Sequence, residues 1–350
     1  MSLSIPVVTD ARCLLHEPLA EVFVGERTPA TELPERNRRI AAALCAAGAP
    51  SVAAIEHGLD PILAVHEAGL VEWLENAWVL WQQAGLAADP GRDRVTPYLF
   101  PTPGLLAGLP ERDPAATWAR AGRWCFDTMT LVGPGTWEAA LGAADCAVTA
   151  ADLVVGGAHA AYALTRPPGH HVTRAAYGGS CYLNNAAIAA ERLRAKGFGA
   201  VAILDLDAHH GNGQQALFWE REDVRTGSAH VDPAAGWFPH HVGWAEETGG
   251  AAGSNLNLPL APGTGDEGWL EAVRTLVAFG ASARALVVAL GVDAAEGDPE
   301  APLRVTEAGF SAAGTLVRSL GLPTVVVQEG GYDLARIGAL VEAFLSGLDT

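Results

Sequence analysis

The stretch Leu204-Asp-Leu-Asp-Ala-His-His-Gly-Asn-Gly213 constrains this chain more tightly than any other. It follows the apolar run Val201-Ala-Ile-Leu204 and places two carboxylates and two imidazoles within six residues. An apolar run of this length, bounded by Gly199 and by glycines at 211 and 213, reads as a buried parallel strand. The polar residues then fall at its C-terminal end, where open α/β sheets keep their active sites. Asp207 and His209 are two apart, so on an extended backbone both face one way and can point at a single cation. Asp205 lies on the same face, one step behind. Asp and Asn also cap helices, so the reading depends on whether partners arrive from elsewhere in the chain.

They arrive from three places. A strand at Ala161-Tyr-Ala-Leu164 leads into Arg166-Pro-Pro-Gly-His-His171, where two prolines and a glycine supply the turn that lets adjacent histidines face one site. A strand at Ala285–Leu290 ends in Gly-Val-Asp293, and another at Thr324–Gln328 ends in Glu329-Gly-Gly-Tyr332. The C-terminal ends of four successive buried strands therefore carry the polar residues, and strand ends along one sheet edge can share one site.

The remaining pattern alternates strands and helices. Strands are expected at Ile5–Thr9 and Val224–His230. Helices are expected at Arg36–Ala47, in two pieces after Leu59 divided at Gly69, and at Thr117–Cys125, Thr136–Thr149, Ala186–Lys196 and Trp269–Phe279. Loops are expected at about 17–35, 85–114 and 127–135. His57 and His66 lack an acidic or His neighbour at ligand spacing and read as structural. The whole, 1–350, reads as one doubly wound α/β domain of three layers.

Composition narrows the partners. The formal charge of −18, with Lys196 the single lysine, repels nucleic acid and attracts small cations. No apolar run approaches the roughly 18 residues of a membrane span, and no signal core follows the N-terminus, so a cytoplasmic protein is the expectation. Cys13, Cys45, Cys125, Cys146 and Cys181 are scattered without a C-x-x-C pair, which fits neither a disulfide framework nor a thiolate zinc site.

Asp207, His209 and Asp293 make a three-ligand set with an open position, as a catalytic zinc requires. The oxygen-rich set does not exclude Fe(II) or Co(II). His170 and His171 would relay protons, one ring backed by Asp205 and the other by Asn212. An Asp partner favours the imidazolium and an Asn partner the neutral ring, so the two should differ in pKa, with His171 the general base if it faces Asn212. Tyr332 can donate its hydroxyl to a carbonyl oxygen opposite the metal and stabilise an oxyanion.

The blocks RPPGHH (166–171), GGSCYLNNAAIAA (178–190), AILDLDAHHGNGQQALF (202–218), FPHHVGWAEETGG (238–250), NLPLAPGT (257–264), GVDAAEGDP (291–299) and EGGY (329–332) stand in an order that resembles the zinc-dependent histone deacetylase superfamily, in its bacterial acetylpolyamine amidohydrolase-like branch. Weaker similarity reaches the N-terminus through GLDPILAVHEAGLVEWL (58–74). The resemblance implies the three-layer arginase–deacetylase fold around a parallel sheet of about eight strands. It makes Asp207, His209 and Asp293 the zinc ligands, His170 and His171 the tandem histidines and Tyr332 the catalytic tyrosine. It also implies a potassium or sodium site built from Asp205, Asp207, the His209 backbone, Ser228 and the Ala229 backbone. Substrate contacts would come from Phe238, Gly179, Ser180, Asp127 and Glu300, and the assembly would be a homodimer in which the 85–114 loop closes a neighbour's site.

Two positions depart from the family pattern. Ser180 stands where relatives usually place an aromatic wall, which predicts a wider tunnel, and Glu300 stands where most carry Leu, Ile or Met, as in the superfamily's eukaryotic polyamine deacetylase. The expected activity is removal of acetyl from an N-acetylated amine, most of all a polyamine, with protein acetyl-lysine as the alternative substrate. A non-catalytic ligand-binding homologue would have no use for the complete set of ligands, histidines and tyrosine. An arginase-like two-manganese hydrolase would need a second acidic ligand where His210, Gly211 and Asn212 stand.

Overall fold

The computed structural model describes residues 2–88, 92–251 and 253–349. Among the described residues ten strands occur in chain order: β1 (Val7–Thr9), β2 (Glu21–Phe23), β3 (Glu26–Thr28), β4 (Ser51–Ala53), β5 (Ala160–Ala163), β6 (Val201–Asp205), β7 (Val224–Val231), β8 (Asn255–Leu260), β9 (Ala285–Leu290) and β10 (Thr324–Gln328). Eight of them form one sheet in the order β4-β1-β5-β10-β9-β6-β7-β8, and every pairing in it is parallel. β2 and β3 pair separately as an antiparallel hairpin. The helices are α1 (Pro34–Ala46), α2 (Asp60–Leu63), α3 (Ala68–Gln83), α4 (Pro103–Leu106), α5 (Thr117–Trp124), α6 (Thr136–Val155), α7 (Asn185–Ala195), α8 (Asn212–Phe218), α9 (Asp266–Gly280), α10 (Glu307–Arg318) and α11 (Ile337–Asp349).

The strands are apolar throughout because helices cover both faces of the sheet. On β6, Val201 and Ile203 pack into the core shared with α3, α6 and α7, while Ala202 and Leu204 pack into the core shared with α1, α9, α10 and α11. All four are fully buried, each larger side chain contributing roughly 1.5–3 kcal/mol. Buried alanines along α6, from Ala139 to Ala151, let that helix lie close to the sheet and to α7. Four adjacent central strands, β5, β10, β9 and β6, lead directly into the polar segments singled out above.

The structure corrects several expected boundaries. The 17–35 segment is not all loop, since the β2–β3 hairpin turns at Val24-Gly25 within it. α6 continues six residues beyond Thr149, because buried Ala150, Ala151 and Val154 extend its apolar face to the Gly156 cap. The 85–114 segment contains a 3₁₀ turn at Leu86–Ala88 and the short α4. His66 is structural: its Nε2 accepts the Asn184 N–H at 3.0 Å and its Nδ1 lies 2.9 Å from Thr173 O. His57 Nε2 lies 3.1 Å from the Thr149 hydroxyl. Among the described residues no helix is long and apolar enough to cross a membrane.

Candidate active site

Backbone amides hold the two proposed carboxylate ligands in place. Asp207 Oδ2 accepts the Gly330 N–H at 2.7 Å, Asp207 Oδ1 accepts the His209 N–H at 2.9 Å, and Asp293 Oδ1 accepts the Ala208 N–H at 2.8 Å. His209 Nδ1 lies 2.9 Å from Asp293 Oδ2 and 3.2 Å from Asp207 Oδ1. One ligand atom from each residue falls within 4.8 Å of the others. Gly330 permits this approach, since a Cβ there would stand 2.5 Å from Asp207 Oδ2 and 2.6 Å from Asp293 Oδ2. Burial and the Asp207 charge push the Asp293 carboxyl up to about 8. Two buried carboxylates in mutual repulsion beside an imidazole are a donor set that a divalent cation relieves, so the residues fit a metal.

The tandem histidines sit in a turn, as the Pro-Pro-Gly sequence suggested. Glu329 Oε2 holds that turn by accepting the N–H groups of Gly169 at 2.6 Å and His170 at 3.1 Å. His170 Nδ1 lies 3.0 Å from Asp205 Oδ2, and His171 Nδ1 lies 2.7 Å from Asn212 Oδ1. The two ring centroids are 4.0 Å apart. Burial works against the charged form of both rings. The Asp207 and Asp205 carboxylates overcome it at His170 and raise its pKa to about 10. At His171 the positive charges of His170 and His209 add to burial and hold the ring well below the usual range. Gln214, which carried no signal in the sequence, donates from Nε2 to Asp205 Oδ2.

Tyr332 is held through its backbone. Its N–H and that of Asp333 donate to Asp298 Oδ2 at 2.8 and 3.2 Å, while Asp298 Oδ1 accepts the Glu300 N–H at 3.0 Å. Trp237 Nε1 donates to Glu300 O at 3.1 Å. Buried Arg36 donates to Gly331 O at 2.6 Å and to Glu329 O at 2.5 Å, with its guanidinium 4.7 Å from the centre of the Tyr332 ring.

His171, His209, Tyr332, Gly179, Ser180, Phe238 and Glu300 line one cavity of about 470 Å³. Glu21, Phe23 and Thr28 of the hairpin line it too, together with Met129, Trp237 and His240; sequence reading overlooked all six. Asp127 does not line this cavity. Its Oδ1 accepts the N–H groups of Met129 and Thr130 at 2.9 and 2.8 Å and its Oδ2 accepts that of Gly179 at 2.6 Å, so it props the wall from behind. Ser180 lines the cavity, with φ +60° and its N–H on the Thr130 hydroxyl at 2.8 Å. The aromatic ring stacked with Phe238, at 6.3 Å and 22°, belongs to Phe126, which lies over Gly178. Ser180 therefore does not leave Phe238 without an aromatic partner.

Gly179 is the tightest point of the wall. It has φ +61°, and a Cβ would stand 2.3 Å from His171 Cδ2 and 2.9 Å from Phe238 Cε1. Gly179→Ala is expected to displace His171 from Asn212 and lower kcat at least about tenfold, since misplacement by about 1 Å can lose 100-fold. Steady-state kinetics with intact metal content would check this, and an unchanged kcat would show that the wall yields elsewhere.

At the base of the site, Ser228 pairs in register with Asp205 on the neighbouring strand. His230 Nε2 donates to Gly243 O at 2.8 Å, since that carbonyl can only accept, so its Nδ1 accepts the Ser228 O–H at 2.9 Å. The Ser228 oxygen keeps lone pairs free.

Residues 30–348 match the family described as Histone deacetylase domain, and the chain belongs to that family. Within it, the chain falls in the bacterial acetylpolyamine amidohydrolase-like branch. It is 41% identical to the acetylpolyamine amidohydrolase of Mycoplana ramosa over 341 residues, 95% of this chain and 96% of the relative. It is 36% identical to acetylpolyamine amidohydrolase 2 of Pseudomonas aeruginosa over 342 residues, 96% of each. The crystal structure of the acetylpolyamine aminohydrolase from Burkholderia pseudomallei superposes with a TM-score of 0.89 at 38% identity, covering 98% of both chains.

Proposed function

We propose that this chain is a metal-dependent amidohydrolase that removes acetyl from N-acetylated linear amines, acetylpolyamines above all. The observation that carries the reading is that His171, His209 and Tyr332 face one cavity, with His209 packed against Asp207 and Asp293 at its floor. Asp207, His209 and Asp293 would hold zinc, with Fe(II) or Co(II) as alternatives; when bound, the cation supplies Lewis acidity and lowers the pKa of water toward 7. His171, kept neutral and fixed by Asn212, takes the proton from the attacking water and returns it to the departing amine nitrogen as the C–N bond breaks, leaving acetate and the free amine. His170, kept charged by Asp205 and Asp207, stabilises the negative charge that develops. Tyr332 donates its hydroxyl to the former carbonyl oxygen. Asp205, Asp207, Ser228 and the backbone of His209 and Ala229 would hold potassium or sodium, supported by the β6–β7 register and by the free Ser228 lone pairs.

Glu300 selects cationic substrates in this reading. A carboxylate roughly 4–6 Å from an ammonium contributes about 3–4 kcal/mol at an effective dielectric near 20, before desolvation takes part of it back. A net of about 1.4 kcal/mol already gives tenfold selectivity. Glu300→Leu is expected to lower kcat/KM on acetylspermidine at least tenfold while a neutral acetamide changes little, and added salt erodes the wild-type preference. The test of the whole reading is a screen of the metal-loaded enzyme on acetylspermidine, acetylputrescine, an acetyl-lysine peptide and longer acyl amides. Activity confined to the peptide would turn the assignment to a protein deacetylase. A homodimer belongs to the same proposal, supported by the exposed Tyr98, Leu105 and Leu109 of the loop expected to reach a neighbour.

A further inference from the structure

A chain of two hydrogen bonds runs from the base of the site to the loop that walls the cavity. The Ser228 hydroxyl donates to His230 Nδ1 at 2.9 Å, and the Nε2–H of that ring donates to Gly243 O at 2.8 Å. His230 and Ser228 are both buried. Gly243 is held from its other side as well, since its N–H donates to Glu247 Oε2 at 2.9 Å. Its φ is +104°, and a Cβ there would stand 2.9 Å from both His210 Cγ and His230 Nε2, so no side chain fits between the loop and the two rings. The segment that leads into Gly243 supplies Trp237, Phe238 and His240 to the cavity. Phe238 in turn lies edge-on to His171, with ring centroids 4.9 Å apart at 82°.

We infer that His230 is a positioning residue that couples occupancy of the monovalent-cation site to the Phe238 wall of the cavity. The inference rests on the cation site proposed above and adds a regulation of the cavity that the ligands of that site do not by themselves imply. A hydroxyl has one proton and two lone pairs, and with the proton committed to Nδ1 the lone pairs are left for the cation. A cation on Oγ draws electron density from the O–H bond and makes it a stronger donor. The ring that accepts this bond then donates more strongly from Nε2. Hydrogen bonds polarised in one direction strengthen each other, by roughly 10–30% per bond. The occupied site therefore holds Gly243, and the wall attached to it, more firmly than the empty one. By linkage, a ligand that packs on the wall tightens cation binding by the same factor. The plainer alternative is that His230 only ties β7 to the loop, with or without a cation.

The experiment uses the metal-loaded enzyme in potassium chloride or in choline chloride at equal ionic strength. Three quantities are read: Tm across a potassium titration, amide hydrogen exchange of residues 237–247, and KM for acetylspermidine. In wild type, potassium is expected to raise Tm, to slow exchange in 237–247 about fivefold and to lower KM by a similar factor, at the small end of couplings between sites. His230→Asn keeps a carbonyl within reach of Ser228 and loses the donor to Gly243. It should still bind potassium, with exchange and KM indifferent to the cation. His230→Gln keeps a donor near the Nε2 position and loses the acceptor at Nδ1. Its potassium titration should move to about tenfold higher concentration, the order of one hydrogen bond. Wild type whose Tm rises with potassium but whose 237–247 exchange is the same in both salts overturns the inference, and this arm needs no variant to fold. Variants that respond to potassium as wild type does overturn it too, leaving His230 a structural tie. Wild type with no potassium-dependent rise in Tm overturns the cation reading, and the inference with it.

Discussion

Replacing Tyr332 by phenylalanine is expected to lower kcat about 100- to 1,000-fold while metal content stays stoichiometric. Removing one oxyanion donor has losses of this size. The structure argues that little else changes. The segment is fixed by backbone bonds from Tyr332 and Asp333 to Asp298 and from Arg36 to Glu329 and Gly331. Phenylalanine keeps the ring on which the Arg36 guanidinium rests. The loss should therefore fall on kcat, with KM nearly constant, because the hydroxyl matters most where negative charge develops. Measuring kcat at saturating acetylspermidine beside elemental analysis decides it. A near-normal kcat would remove Tyr332 from the chemistry.

Asp293→Ala acts on binding of the cation instead. It deletes one of the three proposed ligands and strips the buried Ala208 N–H of its acceptor. Retained metal should fall to a small fraction of one ion per chain, and activity should fall to background. The independent readout is thermal: excess metal stabilises a site that binds it, by about 4 kcal/mol at a thousandfold excess over Kd. Wild type should show a metal-dependent rise in Tm that Asp293→Ala lacks. Asp293→Asn keeps an acceptor for Ala208 and should fold like wild type while binding metal weakly. Full metal occupancy in Asp293→Ala would exclude residue 293 as a ligand.

The residues of the candidate centre could be picked out together because they close continuous apolar strands. The runs Val201–Leu204, Ala285–Leu290 and Thr324–Gln328 announce buried strands, and in a parallel sheet their ends share an edge. That Asp205 would back one of the two histidines and Asn212 the other could likewise be expected, but which backs which, Asp205 on His170 and Asn212 on His171, came only from the structure. The cavity mouth was not legible. The β2–β3 strands are three residues each and carry Glu21, Glu26 and Arg27, so no alternation betrays a strand. β4 is equally short, and Ser51 and Ala53 are exposed. β8 contains Asn255 and Asn257, which read as loop residues, yet both are buried on Gln215 Oε1 through their side-chain amides. The ring of Phe126 reaches Phe238 across 112 residues of sequence. No local pattern encodes that meeting.

Asp298 has a consequence for how such a chain can change. One carboxylate fixes the backbone of both Tyr332 and Glu300, so the segment proposed to set substrate preference is anchored to the segment proposed to do the chemistry. An insertion or deletion between 293 and 300 would shift both together, and a lineage gaining a new substrate by that route would lose rate in the same step. Single replacements at position 300, or on the hairpin that contributes Glu21, leave the anchor intact. Diversification among close relatives is therefore expected to run through side-chain identity at these positions, with the length of the 293–300 loop held fixed.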